Sequence, residues 1–311
     1  MRTLPPLAAL AYPALIWCGP QFGPLFLVVA MAVPLSGLLT AHRLDPHRYP
    51  RSRWIALFVV GAPALYSFLG GWLDGQQGIP FFKGLQAWMA LFIALSCVAF
   101  LERPAAARTK VSQPARTSRL RFAHGISAAL ITCFAAAHLA NHFTGLWGGE
   151  RHIAVMHALR HVYRNPVIET VLLGCVAFQL VSGLVLLSRK LPYVVSWIDT
   201  FQAASAAYLV MFFLSHLSAV FRARYLQDVD TNWTWLTADN FLTDSWSTRL
   251  VPYYFLATIA LGIHGALGVR QILLAHGQPS RVADRGFYFL TAGSAVLSAA
   301  IMTGLISASL H

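Results

Sequence analysis

The chain has 311 residues, 57% of them hydrophobic and 11% charged, with 23 lysines and arginines against 11 acidic residues and a formal net charge of +12. The apolar residues arrive in runs of about twenty, which excludes a water-soluble domain built round one core, and the basic residues occupy short loops between those runs, which excludes a nucleic-acid-binding face. Nothing alternates with the two-residue period of a membrane β-barrel, so the expected fold class is all-α, a polytopic transmembrane helical bundle.

In chain order, about nine spans are predicted, near residues 4–18, 22–41, 54–72, 84–101, 120–143, 167–188, 200–222, 250–270 and 286–308. Residues 4–40 form one apolar block whose single turn signal is CGPQFGP, Cys18 to Pro24, and one tilted helix with a short re-entrant piece also fits it. Arg43, Arg48, Arg51 and Arg53 fill the loop before the third span. After the fourth comes ERPAAARTKVSQPARTSR, which reads as a basic cytoplasmic linker, 103–119, between an N-terminal transmembrane bundle of unknown role, 1–102, and a five-helix bundle, 120–311. Further basic residues follow at Arg189 and Lys190 and at Arg270, Arg281 and Arg285. With nine spans these loops share one side, which puts the N-terminus inside, the C-terminus outside and the protein in a bacterial-type inner (cytoplasmic) membrane. The segment 223–248 then lies outside, with Trp233, Trp235 and Trp246 as interfacial anchors; Arg151, Arg160, Arg164, Arg222 and Arg224 run against the charge rule. The four cysteines show no CxxC spacing, so neither a disulfide framework nor a zinc site is indicated.

Ten of the twelve histidines lie in the second half. His138 sits eighteen residues past Leu120, roughly 27 Å along its helix, and His216 sixteen past Thr200, roughly 24 Å, so the two rings share a level near the outer face. Two imidazoles at one depth on different helices suit a six-coordinate haem b, and an imidazole bound to iron is no longer a stray polar group in lipid. The plainer reading is a histidine bonded to a neighbouring helix or facing a wet cavity. His264, in LGIHGALG, falls in the cytoplasmic half at the level of Gln179, and the two are candidates for a hydrogen bond, a quinone-sized second pocket or a brace. The connection GGERHIAVMHALRHVYRNP reads as an outer amphipathic helix. There His157 and His161 could share a metal with His142 or His152, and Glu150 could take protons from a quinol; a solvated interfacial helix is the competing reading.

From about residue 118 to the end the sequence resembles the single-chain cytochrome b membrane-anchor subunit of succinate:quinone oxidoreductases and fumarate reductases. The resemblance rests on RLRFAHG and HLANHF at the two ends of one span, the GGE turn with its histidines through His157, NPVIE opening the next span, SH at His216 and HGALG at His264. It implies that His138 and His216 are the axial pair of the distal haem and that His264 matches one ligand of a proximal haem. Gln179 stands where two-haem members carry a histidine, so one haem b is expected, and the relay to a cytoplasmic iron–sulfur partner is not implied. HLANHF is also one residue shorter than the family's run, and residues 1–101 have no counterpart in it.

The function expected is a membrane-integral electron-transfer protein, a quinone-linked oxidoreductase or a subunit of one. It would exchange electrons with a quinone near the outer face, and with a redox partner protein if it has one. Arg222, Arg224, Arg151 and Arg160 are candidate partners for haem propionates. His124, Arg119 and Arg121, at the cytoplasmic start of the same helix as His138, are expected as interfacial anchors, and His142 is expected to meet headgroups or a propionate. The alternatives are a haem-bearing anchor or sensor without turnover and a haem-free transporter.

Overall fold

The computed structural model of the chain describes residues 1–74, 82–105 and 118–310. Among these residues there is no strand. The first helix, α1 (Leu4–Phe22), begins with prolines, whose missing N–H has no partner to lose in a first turn, and it ends at Gly23, whose φ of 110° favours glycine. The turn signal thus acts at its C-terminal edge. α2 (Leu25–Ala30) and α3 (Ala32–Arg43) together make one apolar segment of 19 residues. α4 (Pro50–Val60) and α5 (Ala62–Leu73) meet at Gly61 with a bend of 69°, so the span expected at 54–72 is broken. Pro63 explains the break, because it has no N–H for the carbonyl one turn earlier and its ring crowds that carbonyl.

The remaining helices are α6 (Phe82–Leu101), α7 (Ser118–Thr144), α8 (Gly149–Tyr163), α9 (Pro166–Lys190), α10 (Trp197–Phe221), α11 (Trp233–Leu236), α12 (Leu250–Ala275) and α13 (Ser280–Ser309). The NPVIE motif opens α9 as its chemistry dictates: the Asn165 side chain accepts from the Val167 N–H, and Pro166 takes the first helical position. Among the described residues, seven helical segments are long and apolar enough to cross a membrane, and the bent pair makes an eighth if it counts as one span. α1 matches them in length but, with four prolines, is not one of the seven. Large apolar side chains such as Phe122, Val167 and Phe289 point outward, as lipid-facing residues of a multi-pass bundle do.

In the second half α7 packs on α9, while α10 and α13 both pack on α12. The N-terminal half lies against α10 through α3, α4 and α5. One core cluster runs across both halves, with Ala41, Ala56, Leu57 and Val60 against Leu187, Leu191, Ala203 and Tyr208. Of the proposed linker 103–119, residues 106–117 lie outside the described residues; the halves it joins share a core. Arg53, expected in a solvated basic loop, is 1% exposed and clamps this junction. It donates from Nε to the Ala41 carbonyl at 2.9 Å, from Nη1 to Leu191 at 3.3 Å and from Nη2 to Val194. A guanidinium can be buried there because carbonyls left over at helix ends need donors.

Candidate functional site

α7 and α10 bring His138 and His216 together: their ring centroids are 6.2 Å apart with planes at 65°. Each ring is stacked on a phenylalanine one turn earlier in its own helix, Phe134 at 5.5 Å for His138 and Phe212 at 5.2 Å for His216. These i, i+4 pairs fix the direction of both imidazoles. Tyr254 of α12 meets the His216 ring edge-on at 6.3 Å. Both histidines are half-buried.

Two more histidines continue the row outward. His142 lies 4.6 Å from His138 and 5.1 Å from His152 of α8, and its Nδ1 is buried without a hydrogen-bond partner. This overturns its expected place among headgroups: one turn beyond His138 on the same face, it is covered by α8. His152 is 3% exposed and takes a hydrogen bond at Nε2 from the Asn141 amide at 3.1 Å, so its own proton sits on Nδ1. Burial, reinforced by the charges of His138 and Arg160, pushes the His152 imidazole down to about 4, which keeps it neutral. Trp233 of α11 lies 4.4 Å from that ring. A Cβ at Gly145 or Gly149 would come within 2.2 and 2.6 Å of the indole, so the glycines on either side of Trp147 are what let Trp233 close over His152. Trp233 is therefore an internal lid and not an interfacial anchor. Trp246 is likewise internal, packed against Gly70 and Tyr66. Sequence reasoning missed both because an interfacial and a buried tryptophan look alike without the facing glycines.

The other candidates separate. His264 and Gln179 do not bond to each other: the His264 Nδ1 lies 3.3 Å from Ser205 Oγ, and the Gln179 carbonyl accepts from Ser127 Oγ at 3.0 Å. The reason is topological, since Gln179 belongs to the α7–α9 pair and His264 to the α10–α12 pair. His124 is no simple interfacial anchor. It is half-buried, with Nδ1 2.7 Å from Ser182 Oγ, whose own proton goes to the Phe178 carbonyl. His157 and His161 are exposed on α8, and no group of three or more His, Cys, Asp or Glu able to hold a metal ion occurs among the described residues.

The expected propionate partners are engaged elsewhere. Arg224 pairs with Glu169 at 2.7 Å, Arg160 with Asp230 at 2.7 Å, and Arg222 donates to the Gly71 carbonyl of the N-terminal half. Arg151 lines a shallow surface groove of about 300 Å³ with Thr144, Trp147, Ala154 and Val155. Glu150 is exposed in the first turn of α8, where a carboxylate complements the helix dipole. Compared with known proteins, the chain matches no family model, no curated protein and no solved structure.

Proposed function

We propose that the chain is a membrane-integral electron-transfer protein that holds one haem b between His138 and His216 and exchanges electrons with a quinone near the outer membrane face. The observation that carries this reading is the 6.2 Å between the two ring centroids. A first-row metal–imidazole bond is about 2 Å and the centroid lies about 1 Å behind the ligating nitrogen, so two imidazoles on opposite sides of one metal stand about 6 Å apart. Neither ring is hydrogen-bonded to another described residue, whereas His124, His152 and His264 each are. When bound, haem supplies one-electron transfer; the protein supplies the ligands, their orientation and a site shielded from water.

The resemblance of residues 118–311 to cytochrome b anchor subunits supports the same pair, and Gln179, whose carbonyl is taken by Ser127, supports one haem rather than two. In this reading α1 and the bent pair also cross the bilayer, which gives nine spans, an inside N-terminus and an outside C-terminus in a bacterial-type inner membrane. The test is an absorption spectrum with haem quantitation on the intact purified chain. One low-spin haem per chain is expected; the lack of a Soret band, with none gained on adding haem, would refute the reading. A second reading, a haem-bearing anchor or sensor without turnover, draws on the way the N-terminal half covers α10. Reduction of the haem by a quinol in detergent separates the two, since a closed site shows none.

A further inference from the structure

We infer that Asn141, His142 and His152 form a hydroxyl-binding site for a hydroquinone beside the His138/His216 centre, and that the segment Asp228–Leu236, which carries Trp233, is the lid over it; this rests on the haem and quinone reading above. Among the described residues, Asn141 Oδ1, His142 Nδ1 and His152 Nδ1 are buried polar atoms without a partner. Asn141 is 4% exposed and His152 3%. The three belong to one place: the Asn141 amide reaches His152 Nε2 at 3.1 Å, and the His142 ring lies 5.1 Å from that of His152. The same His142 ring is 4.6 Å from that of His138, so one imidazole joins the site to the ligand pair.

The unmet atoms are of both kinds. The His152 Nδ1–H is a donor without an acceptor, and Asn141 Oδ1 is an acceptor without a donor. A hydroxyl answers both at once, accepting from the imidazole and donating to the amide oxygen, with His142 Nδ1 as a second acceptor in its Nε2–H tautomer. A group with no O–H answers His152 alone. Leaving such atoms unpaired costs free energy that a bound hydroxyl recovers. Trp233, 5% exposed and 4.4 Å from the His152 ring, closes the place. Its segment leaves the end of α10 through a left-handed turn at Asp228, φ 52°, and is latched to α8 by charge. Arg160 donates to Asp230 Oδ1 at 2.7 Å and to the Thr231 carbonyl at 3.0 Å, and Arg164 donates to Thr231 Oγ1 at 3.3 Å. The Asp230 side chain is 49% exposed and Nε of both arginines lacks a partner, so water competes for this latch and the lid can lift.

The experiment uses the full haem-loaded chain in detergent and follows haem reduction by a short-tailed benzohydroquinone, with dithionite, an ionic reductant that needs no hydroxyl site, as the control. Each hydroquinone leaves as the quinone after giving two electrons to two ferric haems in two chains and two protons to solvent. Asn141→Leu is expected to raise the KM for the hydroquinone by about tenfold or more, the scale of a lost buried hydrogen bond, and to leave the Soret band and dithionite reduction unchanged. Asp230→Asn, at the surface, is expected to raise the second-order rate constant at low hydroquinone by about two- to fivefold, the scale of a partly exposed ion pair. On the wild-type chain hydroquinone monomethyl ether, which keeps one hydroxyl, should inhibit competitively, and the dimethyl ether, which has none, at least about tenfold more weakly. An unchanged KM in Asn141→Leu, or equal inhibition by the two ethers, overturns the site; an unchanged rate in Asp230→Asn overturns the lid. The ether comparison decides the site if Asn141→Leu yields no haem-loaded chain. A wild-type chain without a Soret band overturns the haem reading, and a haem reduced by dithionite but by no hydroquinone overturns the quinone reading, results distinct from these.

Discussion

Replacing His138 with glycine removes one ring of the 6.2 Å pair and leaves the other in place, held by its stack on Phe212. The nearest other imidazole, His142, cannot take over. It lies on the same helix four residues further along, about 6 Å along the axis, and its ring is perpendicular to that of His138. The six-coordinate fraction is therefore expected to fall from nearly all of the haem to nearly none, visible as conversion from a low-spin to a high-spin spectrum. Haem retention should fall by more than the roughly 10–100-fold that losing an outer partner of a metal ligand costs. The ring-sized gap beside Phe134 should accept imidazole from solution, so adding it at about 10 mM, a concentration suited to a millimolar-range affinity, should restore the low-spin form. His138→Gly protein that keeps a wild-type low-spin spectrum without imidazole would refute the assignment of this ring, and the same outcome for His216→Gly would refute the pair.

Three further outcomes are expected. His264→Ala should leave the spectrum and the haem-to-protein ratio unchanged, because His264 is bonded to Ser205 and has no imidazole partner at Gln179; two haems per chain by pyridine haemochrome would show otherwise. Since folding pushes the His152 imidazole down from its unfolded value to about 4, the unfolded chain binds the extra proton between those two values. Stability should hold above about pH 6.5 and fall as pH drops from there to about 4, by up to about 3 kcal/mol, and His152→Gln should flatten that part of the melting-temperature profile. Arg53→Met should leave three buried carbonyls without donors and destabilise the fold by about 3 kcal/mol, read as a lowered thermal midpoint in detergent, with a smaller change for Arg51→Met, whose side chain is on the exposed side of the same turn.

The sequence by itself determined the class of the protein, the positions of seven of its expected spans and the shared level of His138 and His216. Those follow from local physics: run length against bilayer thickness, the absence of backbone donors at proline, the capping of α9 by Asn165, and a fixed rise per residue. It also singled out the histidines, because an ionisable ring in lipid needs a reason to be there. What it left open depended on which faces meet. The burial of Arg53, the closure of Trp233 over His152 and the separation of His264 from Gln179 are each decided by a neighbour more than fifty residues away or by the pairing of helices.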